Sequence, residues 1–172
     1  MITALLLAAG TSRRFGPECK LQAPYRGQPL IRHAAEAILA TGLPRVAVVA
    51  DPAVARLLPE FRIVWTKGPQ SASLRAGIQA VTGESVLVVL GDMPHVGAAL
   101  LRALAAAPPP AAAVAEGPPG PPAHLPRALF PALLALTGDR GAGPLLRALP
   151  GLARIRTTAD TLRDIDTPGD MA

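Results

Sequence analysis

The chain is poor in the residue types that most often advertise chemistry. It has a single cysteine, Cys19, which excludes an intramolecular disulfide and a cysteine-rich zinc site. Aromatic residues make up only 3% of the sequence, so any core has to be built from Ala, Leu, Val and Ile. Runs of lysine and arginine with interleaved aromatics are missing. The formal net charge of +5 therefore suits a polyanionic ligand better than nucleic acid. Long hydrophobic runs are missing too. The N-terminal apolar stretch is only about seven residues long and has no basic leader, short of a signal peptide or a membrane span. A cytoplasmic protein without membrane attachment is expected. At 172 residues, the length suits one well-filled core and not two ordinary domains, so residues 1–172 are read as a single domain.

What is present begins with Leu5-Leu6-Leu7-Ala8-Ala9-Gly10. A short apolar run without alternation, stopped by glycine, reads as a buried parallel strand. It hands over to Thr11-Ser12-Arg13-Arg14-Phe15-Gly16-Pro17-Glu18-Cys19-Lys20. Gly10 and Gly16 let the backbone approach a ligand so that N–H groups converge on phosphate oxygens. Arg14, Lys20 and Ser12 would add charge and a donor. The spacing is neither that of a Walker P-loop nor Gly-x-Gly-x-x-Gly. A plain strand-to-helix turn with solvated arginines explains the same residues.

Downstream, apolar residues at helical spacing predict a helix over 28–40, ended by Thr41-Gly42, with His33 on its surface. Strands are predicted at Arg45–Ala50, Ile63–Trp65 and Ser85–Leu90, and Asp51-Pro52 starts a short helix between the first two. This rhythm predicts an open, mostly parallel α/β sheet of Rossmann-like type, with helices on both faces and the ligand beyond the strands' carboxyl ends. In Gly68-Pro69-Gln70-Ser71-Ala72-Ser73-Leu74-Arg75-Ala76-Gly77, Ser71 or Ser73 can cap the next helix, and Gly77 marks a close approach. Leu90-Gly91-Asp92-Met93-Pro94 ends a buried strand in an acidic residue. Asp92 is either a hard oxygen ligand for Mg²⁺ or a cap for a helix over 96–106. His95 is either a phosphate contact or an exposed side chain.

From Pro108 to Pro122 proline dominates, around a strand-like Ala111–Ala115. Gly117–Pro122 is expected to form a mobile or extended loop over the site. Pro131–Leu136 reads as a short helix, Thr137–Ala142 as a turn with an exposed ion pair, 144–149 as a helix and Ala153–Arg156 as a strand. In Leu162–Asp170, alternation places Asp164 and Asp166 on one side of a strand, and Thr167-Pro168 starts a last short helix.

The whole set resembles a known family. Leu7-Ala8-Ala9-Gly10-x-Ser12-x-Arg14-Phe15-Gly16-x-x-x-Lys20 is similar to the signature of nucleotidyltransferases that activate sugar and cofactor phosphates, most closely the molybdenum cofactor cytidylyltransferases. The resemblance runs from Leu5 to Asp170 and implies the three-layer fold of the nucleotide-diphospho-sugar transferases. It implies that Ala8, Ala9, Gly10, Thr11, Ser12, Arg14 and Lys20 wrap the triphosphate, and that Gly68, Ser73 and Gly77 line the base pocket. Arg14, Lys20 and Asp92 would be catalytic, with Asp92 and Asp166 holding Mg²⁺. Asp139 and Arg140, in a Gly-Asp-x-Gly-Ala-like loop, and His124, near a departed Gly-x-x-Gly-His-Pro element, would face the second substrate. The implied reaction transfers a cytidylyl group from CTP, with GTP as the alternative, to a molybdopterin-type phosphate destined for a molybdoenzyme or its chaperone. A non-catalytic cofactor carrier is the reading from another class.

Overall fold

The computed structural model describes residues 1–10, 15 and 19–172; Thr11, Ser12 and Arg14 of the first motif lie outside them. The apolar run forms β1 (Ile2–Ala8), which lies between β4 (Arg45–Val49) and β6 (Ser85–Leu90), parallel to both. A central parallel strand with helices packed on both faces of its sheet is buried on both, which is why nothing in its sequence alternates. Beyond β4 lies β5 (Arg62–Trp65). On the other side, β8 (Gly120–Pro126) pairs antiparallel with β6 and with β7 (Ala111–Val114), and β9 (Ala153–Arg156) completes the seven-stranded sheet in the order β5-β4-β1-β6-β8-β7-β9.

Helices cover both faces, so the fold is three-layered. Ala4, Leu6 and Ala8 of β1 pack with Leu30, Ile31, Ala34 and Ile38 of α1 (Leu30–Leu39). The short α2 (Pro52–Arg56) and α4 (Ala98–Ala106) add Val54, Leu101 and Leu104 to this layer. Leu5, one residue out of phase, packs on the opposite face with Leu74 and Ile78 of α3 (Gln70–Ala80). There α5 (Phe130–Leu134) contributes Phe130 and Leu133, and α6 (Gly143–Ala148) contributes Leu146. The period of two along β1 thus assigns each side chain to one of two aliphatic cores.

Several local expectations are corrected. The first helix starts at Leu30, because residues 24–29 instead form a small hairpin, β2 (Pro24–Tyr25) with β3 (Gln28–Pro29). Its two-residue turn has positive φ at both Arg26 (46°) and Gly27 (89°), the twist that suits a hairpin. Neither Ser71 nor Ser73 caps α3; Pro69 stands at its N-cap. Asp92 does not cap α4, whose N-cap is Gly97.

The loop expected at Gly117–Pro122 is cut short: residues 115–119 connect β7 to β8, and from Gly120 onward the chain enters the sheet as β8. Between Ala112 and Ala113 of β7 the register jumps from Ala123 to Gly120. Pro121 and Pro122 therefore fall at a bulge, where a missing N–H costs no ladder bond. The tail around Asp164 and Asp166 is not a strand either. The final turn at Pro168–Met171 does form, closed by a reciprocal Thr167–Asp170 capping box.

Candidate active site

The chain runs from β1 outward through β4 to β5, then returns across β1 to β6. Such a reversal opens a crevice beyond the carboxyl ends of the two central strands. A cavity of about 830 Å³ lies there. Ala8, Ala9 and Gly10 from the end of β1 form its floor, with Leu90 and Asp92 from the end of β6. Gly91 lets these strand ends meet: a Cβ on it would lie 2.5 Å from Ile31 Cδ1 and 3.2 Å from the Leu7 carbonyl. Its N–H donates to that carbonyl at 3.0 Å.

The charged heart of the site is assembled across long sequence separations. Lys20 opens the helical turn Lys20–Gln22 and is 9% exposed. Its Nζ donates to Asp92 Oδ2 at 2.8 Å, to the Ile165 carbonyl at 2.8 Å and to Asp166 Oδ1 at 3.1 Å. Burial by itself would lower the lysine's proton affinity. The field of Asp92 and the hydrogen bonds to Asp92 and Asp166 outweigh that, so its pKa is raised and the ammonium is secured. Ile165 N–H donates to the Asp92 carbonyl at 2.9 Å, tying the tail to the end of β6.

Asp164 joins this group. Oxygen atoms of Asp92, Asp164 and Asp166 lie within 4.8 Å of one another. The Asp164 carboxyl is pushed up by burial first, then by the charges of Asp166 and Asp92. Three hard oxygen donors that repel one another in this way suit a hard divalent cation, which takes carboxylates supplemented by other oxygen ligands and water. Asp164 was not assigned a role by the sequence motif; its two-residue spacing from Asp166 was the signal.

The other wall comes from the start of α3. Gly68, Pro69, Gln70 and Ser73 line it, and Gly68 has φ +129°, a conformation other residues rarely adopt. The 138–142 loop docks against this wall: Ser71 N–H donates to the Gly138 carbonyl at 3.2 Å, and a Cβ on Gly141 would come 2.9 Å from Gln70 Nε2. Asp139 of this loop faces the cavity. Gln70 was another residue missed, hidden because a glutamine at a helix start has many uses.

The cavity thus gathers Ala8, Ala9, Gly10, Lys20, Gly68, Ser73, Asp92, Asp139 and Asp166. Three anticipated residues stand apart. Gly77 faces the sheet, where its missing Cβ makes room for Leu5. Arg140 is exposed and does not line the cavity. His124 is corrected to a core residue: it is 2% exposed, pairs with Leu87 in the sheet, and places Nδ1 3.1 Å from the Leu104 carbonyl and Nε2 2.8 Å from Ser85 Oγ. A carbonyl only accepts, so Nδ1 donates and the Ser85 hydroxyl donates to Nε2. Burial, only partly offset by the Leu104 and Ala107 carbonyls, pushes its pKa down and keeps it neutral. His95 is not exposed and does not line the cavity; it bonds Tyr25 and Asp160.

Known proteins place this geometry. Residues 4–154 match the model of the MobA-like NTP transferase domain. Nicotine blue oxidoreductase from Paenarthrobacter nicotinovorans is 32% identical over 99% of this chain and 94% of its own. The "Probable molybdenum cofactor guanylyltransferase" of Chloroflexus aggregans is 32% identical over 98% of this chain and 81% of its own. The crystal structure of Rv0371c from Mycobacterium tuberculosis superposes with a TM-score of 0.87 at 26% identity, covering 98% of this chain and 95% of that one. The same protein has been solved in complex with manganese, with a TM-score of 0.83 at 25% identity. The sheet and the family match together make this chain a nucleotidyltransferase of the MobA-like NTP transferase family.

Proposed function

We propose that the protein transfers a cytidylyl group from CTP to the terminal phosphate of a molybdopterin-type cofactor and releases pyrophosphate. The observation that carries this reading is the meeting of Lys20, Asp92 and Asp166 in the cavity, with Asp164 beside the two aspartates. A site that only stored a cofactor would have little use for a lysine bonded to two carboxylates with a third beside them.

The attacking phosphate oxygen is already anionic and needs no general base, so what the protein must do is bring two polyanions together and balance the charge that develops on pyrophosphate. An oxygen of the cofactor phosphate bonds to the α-phosphorus as the bond from that phosphorus to the β-phosphate bridging oxygen breaks. Lys20 supplies a fixed positive charge at the strand ends, and Arg14 with the Gly10–Ser12 backbone would cradle the triphosphate. Asp92, Asp164 and Asp166 would hold Mg²⁺, which when bound neutralises phosphate charge. Gly68 and Ser73 leave a narrow wall for the base, and the Asp139 loop faces the second substrate.

GTP is the alternative nucleotide, favoured by the name of the Chloroflexus relative. The deciding experiment measures pyrophosphate release with molybdenum-loaded pterin and Mg²⁺, comparing CTP with GTP and including Asp92→Ala. Release with CTP, abolished in the variant, is the expected result. A GTP preference moves the assignment to guanylyl transfer. No release with either nucleotide, alongside tight pterin binding, replaces the enzyme with a carrier.

A further inference from the structure

The three segments that carry the site's charges are not equally anchored. Lys20 opens a helical turn ahead of the β2–β3 hairpin, and Asp92 follows closely on β6. Asp164 and Asp166 lie in a stretch, residues 157–167, that holds no strand or helix. One tie to that stretch runs through Lys20, whose ammonium the triphosphate would also recruit.

Beside the Ile165 N–H bond to the Asp92 carbonyl, a further tie uses none of the site's own charges. The Tyr25 hydroxyl lies 2.7 Å from His95 Nε2. His95, three residues past Asp92, places Nδ1 3.0 Å from the Asp160 carbonyl and 3.1 Å from Asp160 Oδ2. Both groups facing Nδ1 are acceptors, so Nδ1 carries a proton; in the neutral ring Nε2 then accepts, and the Tyr25 hydroxyl is its donor. The direction of the Nδ1 link is therefore settled by its neighbours. Tyr25 is 3% exposed, and His33 of α1 holds it from behind, with Nε2 2.8 Å from the Tyr25 carbonyl and the two rings edge to face at 5.4 Å. The Tyr25–His95–Asp160 chain thus links the segment after Lys20, the segment after Asp92 and the segment before Asp164.

We infer that Tyr25 and His95 form a clasp that positions Asp164 and Asp166 against Asp92 for a divalent cation. They are positioning residues: neither lines the cavity. This inference rests on the reading of the three carboxylates as a cation site. Because the Asp160 main-chain carbonyl takes one of the two bonds from His95, the side chain at 160 matters less than the two aromatic partners.

The test is binding of Mn²⁺ to the nucleotide-free full chain, followed by electron paramagnetic resonance of the free ion, with thermal unfolding measured in parallel. Tyr25→Phe should weaken Mn²⁺ binding about fivefold, the order of one net hydrogen bond. His95→Phe should weaken it further, and Asp160→Asn, which keeps both the carbonyl and a side-chain acceptor, should stay close to wild type. A purely structural role would lower the unfolding temperature while leaving Mn²⁺ affinity of the folded protein unchanged. Wild-type affinity in both Tyr25→Phe and His95→Phe overturns the clasp. If His95→Phe does not fold, Tyr25→Phe alone decides. If the wild type itself takes up no Mn²⁺, the cation site fails, and amide hydrogen exchange over residues 158–166 decides the clasp: faster exchange in Tyr25→Phe supports it and unchanged exchange refutes it.

Discussion

Gly77→Ala separates a packing glycine from a ligand-lining one. A Cβ at this position would lie 2.6 Å and 2.7 Å from the two Cδ atoms of Leu5 and 3.1 Å from its Cγ. Leu5 is fully buried in the middle of β1, flanked by strands on both sides, so its side chain has nowhere to turn. Overpacking of this kind costs about 1–3 kcal/mol, and contact with three atoms places it in the upper half of that range. The gain in helix propensity returns about 1 kcal/mol. The net loss should be about 1–2 kcal/mol, a fall in melting temperature of roughly 3–6 °C for a chain of this size. Urea or thermal unfolding measures it. Pairing the change with Leu5→Ala should cost less than the two single changes together, by on the order of 1 kcal/mol of coupling. A variant as stable as the parent would refute the close contact. Unchanged stability with a loss of nucleotide affinity would return Gly77 to the base pocket.

Three further outcomes follow from the charges. Asp164 has a raised folded-state pKa, so its favourable contribution is complete below the ordinary carboxyl pKa and is lost as pH rises through the raised value. Asp164→Asn should therefore stabilise the metal-free protein at neutral pH but not below about pH 4, while weakening Mn²⁺ binding; unfolding curves across pH and a cation titration check the pair. His124 has a depressed pKa, so its contribution is present above about pH 6.5 and lost as pH falls toward the folded value; His124→Gln should flatten that part of the pH–stability curve. Lys20→Met should tighten cation binding in the absence of nucleotide, because the ammonium no longer occupies Asp92 and Asp166. It should also slow pyrophosphate release by on the order of 100-fold or more, the loss expected for one preorganised charge-stabilising donor.

The central sheet was legible because buried parallel strands are written as continuous apolar runs, and β1, β4 and β6 are all of that kind. Local signals were readable where a residue acts on its immediate neighbours. Asp51 accepts from Ala53 N–H at 2.8 Å to open α2, as its position before Pro52 suggested. Signals failed where partners are distant. Nothing local tells that Pro121 and Pro122 fall at a bulge opposite β7, so β8 read as a loop. The same applies to His124, whose fate depends on Ser85 and Leu104. At the site, Lys20, Asp92 and Asp166 were named by their motif. Asp164 and His95 gain their roles only because the tail lies against the end of β6. Alternation along 162–166 gave the right neighbours for the wrong reason, since those residues are held by Ile165 and its bond to Asp92 rather than by a sheet.

Metal-dependent nucleotidyl transfer is tested by following the nucleotide itself. CTP labelled at the α-phosphate would be mixed with the full-length protein and molybdenum-loaded pterin in a single turnover, with Mg²⁺ or with a chelator. The label should move onto the pterin with one pyrophosphate released per label transferred, and only when Mg²⁺ is present. Label that stays in the nucleotide while the pterin is bound, or that moves equally well in chelator, would contradict the roles given to Lys20 and the three carboxylates.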